Sequence, residues 1–129
     1  MRTFLAPSRI HGIGLFAAER IKRGTVIWKM NPVLDLELEE SQIEGLSEAA
    51  RVQVRKYTYL DSVRRRFVLC GDDARFFNHD DDPNCHDTPD ADGGTTVAAR
   101  DIEEGEELTS DYARFDAEHV PYRPPGRAT

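Results

Sequence analysis

Cysteine is scarce in this chain of 129 residues, which has only Cys70 and Cys85. They form no CxxC pair, and two are too few for a disulfide framework or a four-ligand zinc cluster. A reducing, cytoplasmic setting is therefore expected, with no structural metal. Long apolar runs are also missing. Nothing approaches the roughly 18 residues a spanning helix needs, so no membrane segment is expected. The first residues, Met1-Arg2-Thr3-Phe4-Leu5-Ala6-Pro7, lack the apolar stretch of a secretory signal. Basic residues are the third shortage. Lys and Arg number 17 against 24 Asp and Glu, a net charge of −7. That argues against direct contact with nucleic acid, which needs clustered cations. It suits a cationic partner, a basic protein or peptide, although acidity also serves plain solubility. Regular strand–helix alternation is absent too, which disfavours a doubly wound nucleotide-binding fold.

What remains reads as many short strands with one helical insert. Pro7 to Gly14 is rich in turn formers. Leu15-Phe16-Ala17 follows as a strand. Thr25-Val26-Ile27-Trp28 opens a second strand expected to run towards Leu34, with Pro32 marking an edge or bulge. Residues 39–57 form the best helical stretch, with Ser47 as an N-cap before Glu48-Ala49-Ala50. Phe67–Cys70, Thr95–Ala99 and Leu108-Thr109 are further strands. Between them, residues 72–95 carry eight aspartates with Pro83, Pro89, Gly93 and Gly94, and read as a long irregular, functional loop. Asp87, Asp90, Asp92 and Gly93 lack the spacing of a calcium-binding EF-hand loop.

Three segments carry chemistry. The first is His11-Gly12-Ile13-Gly14-Leu15-Phe16. The second is Arg75-Phe76-Phe77-Asn78-His79 with Asp82-Pro83-Asn84-Cys85. The third is Gly105-Glu106-Glu107-Leu108-Thr109-Ser110-Asp111-Tyr112. In this order they resemble the GxG, RFxNHxxxPNC and GEELTxDY motifs of the SET-domain lysine methyltransferases. The resemblance covers roughly residues 4–115 of a single domain spanning 1–129, with 116–129 as a short tail. It implies a mainly β fold, small sheets around a C-terminal pseudoknot, and methyl transfer from S-adenosylmethionine to a protein lysine, releasing S-adenosylhomocysteine.

By the same resemblance, Gly12, Ile13, Gly14, Leu15, Asn78, His79 and Tyr112 bind the cofactor, and Tyr112 is the catalytic tyrosine. Missing Cβ atoms let a glycine backbone reach a ligand, and Asn both donates and accepts. Ser110, Phe115, Tyr57 and Tyr59 are expected along the substrate channel. Phe76, Phe77 and Trp28 are read as core. Ser110 stands where family members carry Phe or Tyr, which predicts room for higher methylation states. Asp80-Asp81 replaces the family's usual Ser-Cys. Cys85 matches a zinc ligand of some members, but no partner cluster exists here, so zinc is not expected. Short SET chains of bacterial or viral type sometimes dimerise, so a homodimer is compatible with the resemblance. Two alternatives stay open: a module that binds cofactor and a basic peptide without efficient turnover, and a chain that acts on itself or on a small amine.

Overall fold

The computed structural model describes residues 3–61, 63–88 and 94–111. Tyr112, Phe115 and the 116–129 tail lie outside the described residues. Brief β-branched and aromatic runs, cut by Gly, Pro and Asn, allow only short strands. In chain order these are β1 (Thr3–Pro7), β2 (Ile13–Ala17), β3 (Val26–Lys29), β4 (Leu36–Leu38) and, after helices α1 (Glu40–Glu44) and α2 (Glu48–Tyr57), β5 (Thr58–Leu60) and β6 (Phe67–Leu69). A 3-10 turn at Asp73–Phe76 leads to β7 (Asn78–His79), β8 (Cys85–Thr88), β9 (Thr95–Ala98) and β10 (Thr109–Ser110). No described helix is long and apolar enough to cross a membrane.

The strands make four small sheets: β1–β2, β3–β9–β8, β4–β6–β5, and the parallel pair β7–β10. The β1–β2 hairpin closes with Ser8 N–H donating to the Gly12 carbonyl at 2.8 Å. Gly12 takes a left-handed φ of 48°, which a side chain would resist. The other edge of β2 receives the chain from far downstream. Leu108 N–H donates to the Leu15 carbonyl at 2.7 Å, and Ala17 N–H to the Glu106 carbonyl at 2.9 Å. One buried cluster holds Leu15, Ala17, Ile21, Phe77, Cys85 and Leu108; Met30, Val68 and Cys70 form a smaller one. Trp28 and Ala74 pack against both. Phe76 and Phe77 serve the core as expected.

Three expectations need correction. The strand from Thr25 stops at Lys29 and does not reach Leu34. Asn31 turns the chain, its carbonyl accepting from Leu34 and Asp35 N–H at 3.0 and 2.8 Å, while the Asp35 carboxylate takes the Asn31 N–H at 2.9 Å. The helical stretch is two helices parted at Gly45, and Ser47 caps the second by accepting from Ala50 N–H at 3.2 Å. Residues 72–95 are more regular than their composition implies. They hold the 3-10 turn, β7 and β8, because β10 and β9 supply partners from later in the chain.

Gly71 marks the tightest passage. A Cβ there would stand 1.8 Å from the Leu34 carbonyl oxygen, backbone that the Asn31 turn holds in place. Gly71→Ala must therefore displace a built turn. We expect a loss of about 2–3 kcal/mol and a fall in Tm of about 10 °C. A thermal melt that matches wild type would refute this close approach.

Candidate active site

The site grows from one buried amide. Asn78 begins β7 and is 6% exposed. Its Nδ2 donates to Ser8 Oγ at 3.1 Å, to the His11 carbonyl at 3.1 Å and to Glu107 Oε2 at 2.8 Å. Ser8 Oγ in turn donates to the Glu107 carboxylate at 2.8 Å and accepts from Ile10 and His11 N–H at 2.9 and 3.2 Å. The glycine turn, the Asn–His pair and the Glu-Glu-Leu-Thr segment thus meet within one hydrogen-bonded knot. Charge-assisted bonds of this kind are stronger than neutral ones.

Gly14 acquires a second reason to be glycine. A Cβ there would lie 2.4 Å from Glu107 Oε2, so the missing side chain makes room for this carboxylate. Gly12 is different: nothing lies within 4 Å of where its Cβ would stand, so its glycine character answers to its φ of 48°. Ile13 is 52% exposed beside it. Leu15 buries its side chain in the core and commits its carbonyl to Leu108.

β10 runs parallel to β7, Thr109 beside Asn78 and Ser110 beside His79, and Asp80 N–H donates to the Ser110 carbonyl at 3.0 Å. Asn84 locks this crossing. Its Nδ2 donates to the Glu107 carbonyl at 2.8 Å, and its Oδ1 accepts from Thr109 N–H at 2.9 Å. The ring of His79 pairs through Nε2 with Asp81 at 2.7 Å and lies 3.8 Å from Asp111 through Nδ1. One donor atom from each of the three lies within 4.8 Å of the others, an acidic corner beside the knot.

Next to the crossing is a cavity of about 120 Å³, lined among others by Trp28, Tyr57, Tyr59, Phe77, Asp87 and Ser110. Three of the four residues expected along the channel therefore share one space; the fourth, Phe115, is outside the described residues, as is Tyr112. Tyr57 packs edge-on against Phe76 with centroids 6.0 Å apart. Burial, with Cys70, Asp61 and Asp87 nearby, pushes the Tyr59 hydroxyl above its ordinary range, so it remains protonated. Burial pushes the Cys85 thiol up to about 12, with Asp87 adding to the effect. Cys85 is fully buried and its Sγ donates to Asn84 Oδ1 at 3.3 Å. It is a buried thiol packed in the larger core cluster.

Sequence reasoning passed over Ser8, Asn84 and Glu107 as site residues. Asn84 and Glu107 stood inside quoted motifs, so a signal existed. Ser8 had none beyond its place before a glycine turn. Asp87 and Thr96, which share the cavity wall with Trp28, were also missed.

The SET domain family matches residues 12–113, and the chain belongs to that family. A histone-lysine N-methyltransferase, H3 lysine-4 specific, of Aspergillus oryzae is 32% identical over 123 residues, covering 88% of this chain. The protein of the same name from Schizosaccharomyces pombe is 33% identical over 116 residues, covering 82%. Human histone-lysine N-methyltransferase 2D is 29% identical over 132 residues, covering 95%. This chain spans only 10%, 12% and 2% of the lengths of these relatives. A Plasmodium falciparum crystal structure named for a histone methyltransferase superposes with a TM-score of 0.62 at 19% identity, covering 86% of this chain and 92% of that one. That likeness establishes the mainly β SET fold.

Proposed function

We propose that this chain transfers a methyl group from S-adenosylmethionine to the side-chain amine of a lysine in a basic protein, and releases S-adenosylhomocysteine. The observation that carries this reading is the Asn78 amide, which joins all three family segments at one point. Relatives named histone-lysine N-methyltransferases support lysine as the target and a histone-like protein as the substrate. A net charge of −7 favours such a cationic partner.

The residues present fit the cofactor. The space beside Gly12 where a Cβ would stand is open, Asn78 holds the neighbouring His11 carbonyl, and Asp81 and Asp111 beside His79 set a negative potential that suits a sulfonium and an α-ammonium. When bound, the cofactor supplies a methyl carbon activated by its positive sulfur. The chain's own residues do the rest. Lysine is charged in water, with a pKa of about 10.4, yet only the neutral amine attacks. The aromatic walls of Trp28, Tyr57, Tyr59 and Phe77 strip water from the amine and disfavour its charged form. Tyr112, in the family's catalytic position, directs the lone pair towards the methyl carbon. Rate comes chiefly from alignment.

The deciding experiment is transfer of label from radioactive S-adenosylmethionine into purified histones and other basic proteins. Label recovered as methyl-lysine is expected. Cofactor binding with no label in any of them would leave a peptide-binding module.

Ser110 bears on how many methyl groups enter. It is 1% exposed, lines the cavity, and its Oγ has no hydrogen-bond partner among the described residues. So small a side chain leaves room beside the amine. Di- and trimethyl-lysine are the expected products, and Ser110→Tyr should confine the enzyme to monomethyl-lysine. Mass spectrometry of the product decides, and only monomethyl product from wild type would end the idea.

A further inference from the structure

One row of residues crosses the β3–β9–β8 sheet. Trp28 pairs with Thr96, and Thr96 pairs with Asp87. Paired residues share a face, and all three line the cavity. Thr96 is 2% exposed, and its Oγ1 donates to Asp87 Oδ1 at 2.5 Å, which fixes the carboxylate in the wall. The indole Nε1 of Trp28 and the hydroxyl of Ser110 are buried there without hydrogen-bond partners among the described residues. Buried polar groups left in that state are costly, and on a cavity wall they point to a ligand that completes them.

Two cations and two carboxylates share the cavity lining. Lys56 is exposed and Arg75 half-buried, and each holds its cation over the Tyr57 ring, at 5.3 and 5.4 Å. Asp61, the other carboxylate on the lining, closes the turn after β5 by accepting from Val63 and Arg64 N–H at 2.8 Å each. Its task is structural. Asp87 shares the cavity lining with the Trp28 indole and the buried Ser110. A carboxylate on the lining of a cavity of about 120 Å³ that is otherwise walled largely by aromatic rings is a receptor for an ammonium.

The structure assigns to Asp87 the binding of the target amine: it accepts N–H hydrogen bonds from the alkylammonium that enters the cavity and orients that nitrogen between Trp28 and Ser110. This rests on the lysine reading above and names the group that recognises the lysine's charged end. The role is binding and orientation: a carboxylate favours the ammonium over the neutral amine, so Asp87 receives the charged lysine, and the proton is lost to water against that pull, helped by the desolvating aromatic walls.

The test titrates wild type and Asp87→Asn with n-butylammonium chloride and with 1-butanol at fixed ionic strength. The readout is fluorescence of Trp28, the chain's one tryptophan. Asparagine keeps an acceptor for Thr96, and a thermal melt checks the fold. Wild type should prefer the ammonium to the alcohol, and Asp87→Asn should lose about 10-fold or more of that preference. An unchanged preference in the variant overturns the assignment. If the variant does not fold, wild type alone decides, because equal affinity for ammonium and alcohol also overturns it. Methyl-transfer kinetics run in parallel separate the two readings. A variant with wild-type KM for the lysine substrate refutes the amine site while the activity stands. A preference that needs Asp87, in a chain that transfers no methyl, keeps the amine site and removes the methyltransferase.

Discussion

Tyr112→Phe should lower kcat for methyl transfer by a factor on the order of 100 or more, with cofactor affinity little changed. The ring is retained, so space filling is preserved; only the hydroxyl goes. With it goes a polar group able to fix the direction of the amine lone pair. In-line displacement at carbon tolerates little angular error, and misplacement of a reacting atom by about 1 Å costs about 100-fold. Single-turnover rates with saturating cofactor provide the measurement. A variant as fast as wild type would mean that Tyr112 is dispensable and that alignment comes from the cavity walls. Equal loss of cofactor binding would make it a scaffold residue.

The second large effect is expected from Asn78→Asp. The change is nearly isosteric, but it removes the donor that serves Ser8, His11 and Glu107. It also sets a second carboxylate where Nδ2 now sits, 2.8 Å from Glu107 Oε2. A buried donor becomes a buried charge facing a like charge. A buried charge left uncompensated costs about 3–5 kcal/mol, more than Asn78→Ala, which leaves acceptors unmet at about 1–3 kcal/mol. Denaturant melts should therefore rank wild type above Ala and Ala above Asp. Cofactor titration should follow the same order, because the His11–Gly12 turn hangs from this amide. If aspartate proved milder than alanine, the Glu107 carboxylate would not be held by Asn78 as the structure has it.

Much of the site was legible because the family's chemistry sits in three contiguous runs. Gly12 and Asn78 could be named from resemblance, and the structure brings their segments together; Tyr112, named the same way, lies outside the described residues. Strands were legible where β-branched and aromatic residues cluster, as in Val26–Trp28, Phe67–Leu69 and Thr95–Ala98. Other parts were not. β8 reads Cys-His-Asp-Thr, which has little strand propensity; it is a strand because β9 lies alongside it. β4 and β5 depend in the same way on β6. Glu107 looked like one acid among many until the closed chain set it against Gly14 and Ser8. The row from Trp28 through Thr96 to Asp87 is a property of register across three strands, and register is invisible in a linear string.

The bond between Ser8 and Glu107 joins residues 99 positions apart. Loops so long close late, since their entropy is lost before the contact repays it. A ribosome making this domain therefore releases the β1–β2 hairpin long before the Glu107 carboxylate that anchors its glycine turn. The knot around Asn78 is completed only once residue 107 has been made. A chain cut short before residue 107 would carry its first motif intact and have nothing to fasten it to.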